Sequence, residues 1–186
     1  MNKYIEISVD EAYRLFNHGP LVLISTRSAE SEYNIAPIAW NCPVRKTPTR
    51  ILLVVGRSHK TYENIKKTGQ FIVCVPSFSA AEFVRYSGSV SGTEENKFKK
   101  RARETIVGEK VDALIPEGMV GYMECILNEE FRYDSVSLII GETIKAGADE
   151  EGFSGRVRPE NEKGRTLHHL GGGEFGVLSS EVNSGK

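Results

Sequence analysis

Two long β-strands predicted in the second half of the chain restrict its fold more than any other feature. Residues 120–132 and 135–144 are both rich in apolar and β-branched side chains. They meet at Tyr133 and Asp134, which form a compact hairpin signal. The sequence therefore predicts a long antiparallel hairpin in this half of the chain.

Shorter strands are predicted earlier in the chain. Apolar runs at residues 21–26, 49–56 and 70–75 are typical of buried strands. Residues 34–43 contain two prolines and mixed polarity, which predicts a strand or extended chain with interruptions. Together with the long hairpin, these segments bring the expected number of strands to about six.

Short helices are predicted between the strands. Two serines that are each followed three residues later by glutamate have the spacing of a capping box, and they predict helices over residues 9–17 and 79–86. A third helix is predicted over residues 61–67. Because strands and helices do not alternate regularly, a doubly wound parallel sheet fits poorly. A mainly β fold with short helices, built as a mostly antiparallel barrel with the helices packed outside, fits better.

A chain of 186 residues is expected to form one domain, here residues 1–178, followed by a flexible tail at 179–186. A polar excursion at residues 87–110 contains a basic run flanked by glutamates, which favours a solvated helix face over a binding patch. The formal net charge of -1 argues against a nucleic-acid binder. No apolar stretch approaches the roughly 20 residues that span a bilayer, so no membrane protein is expected.

The three cysteines, Cys42, Cys74 and Cys125, are odd in number and far apart. They form neither a zinc-binding pattern nor a disulfide framework. Cys74 and Cys125 lie in apolar runs, where a free cysteine behaves as a small hydrophobic residue. Since the first residues also lack the apolar core of a signal peptide, we expect a cytoplasmic protein without a metal.

The turn after the strand at residues 49–56 is a candidate anion site. Arg57, Ser58, His59, Lys60 and Thr61 place charge and hydroxyl groups at a predicted helix start. Free backbone amides and the helix dipole at such a position favour a phosphate. An ordinary capped helix, with Thr61 or Ser58 as the N-cap, is the other interpretation. The turn lacks the glycine spacing of a P-loop or a dinucleotide fingerprint.

The extended piece before that strand is a second candidate site. Small residues and prolines alternate with polar ones over residues 33–43, which exposes backbone groups. Such a backbone could bind the edge of a planar heterocycle, and an irregular edge strand is the alternative.

Residues 33–41 (YNIAPIAWN), 58–65 (SHKTYENI), 68–73 (TGQFIV) and 167–172 (LHHLGG) follow one another in this order. Together they resemble the flavin reductase-like family, which includes the flavoredoxins and the reductase components of two-component monooxygenases. The resemblance implies an FMN-binding split β-barrel. It also implies a homodimer, with the flavin near the subunit interface.

The resemblance assigns the two candidate sites to one cofactor. Ser58, His59, Lys60 and Thr61 would hold the phosphate of FMN, with Arg57 adding charge. Either His168 or His169 would line the site, since neighbours in a strand point to opposite faces; His169 is our candidate. The segment that would line the isoalloxazine and ribityl chain comprises Asn34, Ala36, Pro37, Ile38, Ala39, Trp40, Asn41 and Cys42.

The chain departs from the family at one place. Many members carry Ser-x-Phe or Thr-x-Phe where this chain has Ala39, Trp40 and Asn41. The missing hydroxyl at Ala39 would remove one hydrogen bond to the flavin, worth about 1 kcal/mol. Cys42 would lie beside the flavin, and both a redox role and an inert role are open.

The resemblance implies an FMN-dependent oxidoreductase. Hydride would pass from NADH or NADPH to FMN, and the electrons would pass to a second acceptor, for which a partner protein is one candidate. The flavin carries this chemistry, so no catalytic side chain is expected. The alternatives are an FMN-binding electron carrier or flavin store without NAD(P)H activity, and a related barrel that binds heme or a deazaflavin.

Overall fold

The computed structural model describes residues 4–16, 19–101 and 103–182. Within these residues one sheet of eight strands carries two small hairpins and three short α-helices. The strands are β1 (Tyr4–Ile7), β2 (Val22–Arg27), β3 (Tyr33–Ile38), β4 (Asn41–Arg45), β5 (Arg50–Gly56), β6 (Gln70–Pro76), β7 (Thr105–Val107), β8 (Leu114–Pro116), β9 (Met119–Tyr133), β10 (Val136–Asp149), β11 (Leu167–Gly171) and β12 (Glu174–Val177). The α-helices are α1 (Lys60–Thr68), α2 (Ala81–Ser89) and α3 (Lys97–Lys100).

The predicted long hairpin is confirmed as β9 and β10, which form the centre of the sheet. The sheet has the order β3-β2-β6-β9-β10-β5-β4, and all of its pairs are antiparallel. The hairpin is longer than expected because register shifts after Ile140 and Thr143 let β10 continue to Asp149. The first half of β10 pairs with β5 and its last four residues pair with β1. β10 therefore pairs with both β5 and β1 along the same edge.

The sheet curls until its two edge strands come together. β3 and β4 are the ends of the strand order, yet only Ala39 and Trp40 lie between them in the chain. The Trp40 carbonyl accepts from the Val54 amide at 3.0 Å, which fixes this crossing. No ladder joins β3 to β4 in the described residues, so the sheet is not closed. The predicted fold class, mainly antiparallel β with short helices, is confirmed in this open form.

Both faces of the central strands are buried. Phe71, Val73 and Val75 of β6 face the core inside the curled sheet, whereas Ile72 and Cys74 face a second core under α2. Burial on both sides explains why residues 70–75 are apolar without alternation. Cys74 and Cys125 are fully buried, as predicted, and burial raises the pKa of the Cys125 thiol to about 12.

The capping-box predictions are wrong in detail. Residues Val9–Leu15 form a 3₁₀ helix rather than an α-helix, and residue 17 lies outside the described residues. Ser8 makes no side-chain cap there. At the second box, the hydroxyl of Ser79 pairs with that of Ser77 at 2.8 Å, so α2 begins only at Ala81. A serine hydroxyl that is hydrogen-bonded to another side chain is not available to cap a helix.

The helix predicted over residues 61–67 is confirmed as α1. It ends at Gly69, whose φ of 68° gives the left-handed conformation that glycine adopts readily. The number of strands was underestimated: the structure has twelve in the described residues, because several are only three to five residues long. Such short runs carry too little periodicity to be recognised.

The chain ends in the β11–β12 hairpin, after which residues 179–182 have no regular structure and residues 183–186 lie outside the described range. The domain boundary at residue 178 stays a prediction. In the described residues none of the helices is long and apolar enough to cross a membrane.

Buried Glu124 of β9 organises the loop before β8. Its carboxylate accepts from the backbone amides of Glu109, Lys110 and Val111 at 3.1, 2.6 and 2.7 Å. Three amide donors offset the cost of burying this side chain. The loop is thereby tied to the sheet.

Candidate functional site

The turn between β5 and α1 keeps the amides of the helix start available. His59 occupies the N-cap position of α1 and makes no side-chain cap hydrogen bond. Neither Thr61 nor Ser58 caps the helix, so the ordinary capped helix is not what the structure shows. The first amides of a helix have no partner within the helix, and they carry the positive end of its dipole. This end of α1 is therefore suited to an anion.

The side chains of the turn point in different directions. Arg57, which is exposed, donates to the Asp134 carbonyl at 3.1 Å and so leans towards the β9–β10 turn. The ring of His59 folds back over Gly56, where an added Cβ would lie 2.9 Å from it. The Lys60 ammonium lies 3.2 Å from a Glu63 carboxylate oxygen. The exposed hydroxyl of Ser58 makes no hydrogen bond within the described residues.

Buried Asn34 joins β3 to the start of α1. Its amide nitrogen donates to the Thr61 hydroxyl at 3.1 Å. Its other atom, Oδ1, is buried without a hydrogen-bond partner. A buried carbonyl oxygen without a donor is costly, and it marks a place where a ligand could supply one.

Gly92 closes over the same place. A Cβ on Gly92 would overlap Asn34 Oδ1 and lie 3.3 Å from Lys60 Cβ. This contact therefore brings together three segments that are distant in sequence: β3, the turn before α1 and the excursion. The absence of a side chain at residue 92 lets the backbone of the excursion approach Asn34 this closely.

A cleft of about 320 Å³ lies at the other end of β3. A side of α2 forms one wall, and the β11–β12 hairpin with its glycine-rich turn forms the other. Three predicted site residues, Pro37, Ala39 and His169, line it. The complete lining comprises Leu21, Pro37, Ala39, Val84, Arg85, Gly88, Ser89, His169, Gly172, Gly173 and Phe175.

The two histidines of β11 have different surroundings. His169 lines the cleft, where its Nε2 lies 3.1 Å from the Gly172 carbonyl and its ring lies 6.0 Å from the ring of Phe175. His168 is half-buried beside the Thr166 hydroxyl and does not line the cleft. Burial lowers the pKa of His168. The opposite orientation expected for neighbours in a strand is what the structure shows.

The remaining predicted residues lie away from the cleft lining. The Asn41 amide donates to the carbonyls of Pro20, Ile38 and Ala39 at 3.0 to 3.3 Å, so it holds the β3–β4 crossing. Trp40 and Cys42 are exposed, and Cys42 lies on the edge strand β4. Ala36 is half-buried and Ile38 is in the core.

Lys97 is a buried charged residue against β3, and the sequence did not reveal its burial. Its ammonium donates to the carbonyls of Ile35 at 2.9 Å and Ser87 at 2.6 Å, and the residue is 3% exposed. Burial lowers the pKa of Lys97 to about 8. The basic run was interpreted as a solvated face, which holds for the exposed Lys99 and Lys100 and is wrong for Lys97.

The excursion thus covers β3. Gly88 lies so close that an added Cβ would be 2.9 Å from Pro37 Cγ, Lys97 binds the Ile35 carbonyl, and Gly92 covers Asn34. The only sequence signal was the pair of glycines four residues apart. In the described residues no group of histidine, cysteine and carboxylate side chains could hold a metal ion.

Comparisons with known proteins concern the whole domain. Residues 14–167 match the family described as flavin reductase like domain. The chain is 35% identical over 189 residues to the uncharacterized protein YddH of Escherichia coli K12, with 100% of both chains covered. A crystal structure of an FMN-binding domain of a flavin reductases-like enzyme from Shewanella baltica is 30% identical, with a TM-score of 0.91, and covers 99% of this chain and 98% of its own. The flavoredoxin of Desulfovibrio vulgaris (Miyazaki F) is 24% identical, with a TM-score of 0.79 and coverage of 89% and 90%, which is a likeness of fold.

Proposed function

The chain belongs to the flavin reductase-like domain family, and from this premise we propose that it is an FMN-dependent oxidoreductase that takes hydride from NADH or NADPH. The electrons would then leave to a second acceptor, a small molecule or a protein. The observation that carries the assignment is the buried, unpartnered Oδ1 of Asn34 between an uncapped helix start and an apolar cleft. A ligand with an anion at one end, hydroxyl donors in the middle and a flat ring at the other fits this series.

The residues present fit FMN in that order. The phosphate would lie at the start of α1, against the backbone amides and the side chains of Ser58, Lys60 and Thr61. A ribityl hydroxyl would donate to Asn34 Oδ1, which lacks a donor in the protein. The ring would run along β3 towards the cleft.

The protein's part in the reaction is binding and orientation. Bound FMN supplies the hydride chemistry, which requires no protein nucleophile. Pro37 of β3 and Ala39 line the cleft, so a flavin ring that lies along β3 would have one face open to the cleft. His169 Nε2 faces the Gly172 carbonyl and donates its N–H there, so in the neutral ring Nδ1 would be left as an acceptor at the cleft wall. The excursion keeps solvent away from the free edge of β3.

The phosphate assignment is tested with a paired variant. Lys60→Ala combined with Thr61→Ala removes a cation and a hydroxyl, and FMN affinity is expected to fall by about a hundredfold, the loss of a few charge-assisted bonds. FMN binding is measured from flavin fluorescence during titration of the apoprotein. Lys67→Ala combined with Thr68→Ala, at the far end of α1, is the matched control and should bind FMN like the wild type. Equal affinity in both pairs would refute the phosphate site.

The enzymatic part is tested separately on the FMN-loaded protein. Anaerobic addition of NADH, and then NADPH, should bleach the flavin absorbance. A flavin that is bound but stays oxidised with both nucleotides would favour the carrier or storage function. A protein that takes up no FMN, but binds heme or a deazaflavin, would refute the cofactor.

We also propose a homodimer. Trp40, Phe131, Tyr133 and Leu170 are large side chains that are 54–74% exposed in the protomer, and a contiguous patch of such side chains is typical of an interface. Trp40 lies beside Val54 and Tyr133 pairs with Val136, so both belong to the same end of the sheet. Sedimentation over a range of concentrations tests the dimer. The cytoplasmic location stays a prediction.

A further inference from the structure

Arg85 gives the cleft an unusual combination of chemistry. The walls are mostly apolar, formed by side chains such as Leu21, Val84 and Phe175 together with glycines. Among the described residues, Arg85 is the only Lys, Arg, Asp or Glu in the lining. A permanently charged guanidinium beside an apolar cleft is expected to attract an anion, because no carboxylate in the lining neutralises it.

The guanidinium of Arg85 is not engaged elsewhere in the part of the chain that the structure describes. The neighbouring arginines have partners: Arg101 lies 3.4 Å from a Glu82 carboxylate oxygen, and Arg103 lies 5.5 Å from the centre of the Phe83 ring. Arg85 makes no hydrogen bond or ion pair within the described residues. Its five N–H donors are therefore available to a ligand, and their planar arrangement suits a carboxylate.

The position of Arg85 separates it from the phosphate end of the site. Arg85, Gly88 and Ser89 share one face of α2, since they are spaced three and four residues apart. Gly88 lies against Pro37 and Gly92 lies against Asn34, so the excursion runs opposite to β3. Arg85 therefore lies beyond Pro37, at the Ala39 end of the strand. Asn34 and Ala39 are about 16 Å apart along an extended strand, so the FMN phosphate is out of its reach.

We propose that the cleft binds a small aromatic carboxylate beside the flavin, with Arg85 as the group that selects the carboxylate. This inference rests on the proposed function, because it names the class of compound that approaches the bound ring. A volume of about 320 Å³ is at the small end of ligand pockets and suits a compound with a single aromatic ring. The ring contacts the apolar walls, and the carboxylate accepts a bidentate pair of N–H groups from Arg85.

The test compares benzoate with benzamide, which has the same ring and shape without the charge. Binding of each to the FMN-loaded protein is measured by calorimetry and by perturbation of the flavin spectrum. The wild type is expected to bind benzoate about tenfold tighter than benzamide, the usual effect of one charge-assisted pair. Arg85→Gln should remove this preference, and Arg85→Lys should restore part of it. Arg101→Gln, which removes the same charge from the excursion outside the cleft, should keep the preference.

FMN affinity is measured for every variant, which separates this inference from the proposed function. Arg85→Gln should bind FMN as the wild type does. The inference is overturned if the wild type shows no preference, if the preference survives Arg85→Gln, or if FMN displaces benzoate. If the protein binds no FMN at all, the proposed function fails, and the same comparison on the flavin-free protein still decides whether Arg85 selects a carboxylate.

Discussion

Lys97→Met is expected to change how the stability of the protein depends on pH. The Lys97 ammonium is buried under the excursion and donates to the carbonyls of Ile35 and Ser87. Methionine is unbranched and of similar length, so it can fill the same space without a charge. The variant therefore removes the titrating group and leaves the packing of β3 against α2 largely in place.

The magnitude follows from the pKa of Lys97, which burial lowers from 10.5 to about 8. Below pH 8 the amine is protonated in both the folded and the unfolded chain, so stability does not change with pH. Above pH 8 the unfolded chain still binds a proton that the folded chain has lost, and the free energy of unfolding rises with pH. At about 1.4 kcal/mol for each pKa unit, roughly 2 kcal/mol is gained between pH 7 and pH 9.5.

The absolute effect of Lys97→Met at pH 7 is expected to be small. The variant no longer buries an ammonium, which stabilises it. It also leaves two carbonyls without their donor, and this destabilises it by about 1–3 kcal/mol for each carbonyl. These effects have opposite signs and similar sizes. The slope with pH is therefore the informative quantity.

Urea denaturation of the wild type and of Lys97→Met at several pH values measures this slope. The stability of the wild type relative to the variant should rise by about 2 kcal/mol from pH 7 to pH 9.5. Lys99→Met removes an exposed amine two residues away. Its free energy of unfolding should change with pH in the same way as that of the wild type. Parallel curves for the wild type and Lys97→Met, or a difference that falls with pH, would refute the assignment of a buried, titrating ammonium.

Three further variants test contacts that the fold depends on. Gly92→Ala makes a Cβ overlap the unpartnered oxygen of buried Asn34, so Asn34 must shift; we expect FMN affinity to fall by at least about tenfold in fluorescence titrations and the free energy of unfolding to fall by about 1–3 kcal/mol in urea. Gly141→Ala makes a Cβ overlap the ring of Phe71 in the core, so the free energy of unfolding should fall by about 1–3 kcal/mol in urea; an unchanged midpoint would contradict this packing. Glu124→Gln replaces a carboxylate that accepts from three backbone amides, and those amides should exchange their hydrogens faster, with a loss of about 1.5–3 kcal/mol in stability.

The local pattern of the sequence was sufficient for the elements that depend on near neighbours. The β9–β10 hairpin and helix α1 were both predicted, because alternation, turn residues and a terminal glycine act over a few residues. The candidate anion turn at residues 57–61 was recognised for the same reason. Even here neighbouring side chains changed the details, as when Ser77 took the hydroxyl that would have capped α2.

The individual roles along β3 and β4 were harder to assign. Pro37 and Ala39 do line the cleft. The side-chain amide of Asn41 instead donates to backbone carbonyls at the β3–β4 crossing. The sequence shows which residues are small or polar. It does not show which way the curled sheet turns them.

The sequence by itself predicted a mainly antiparallel β chain with a candidate anion site at the start of α1. Only the tertiary structure decided what packs along β3 between that turn and the cleft. Gly88, Gly92 and Lys97 contact residues of β3 that lie more than fifty positions earlier in the chain, and the β11–β12 hairpin brings His169 to the same cleft. Such contacts depend on how the sheet curls and where the excursion packs, and no local pattern encodes them. Lys97 of the excursion has a buried ammonium and Arg85 of α2 has a free guanidinium, and packing alone decides this difference.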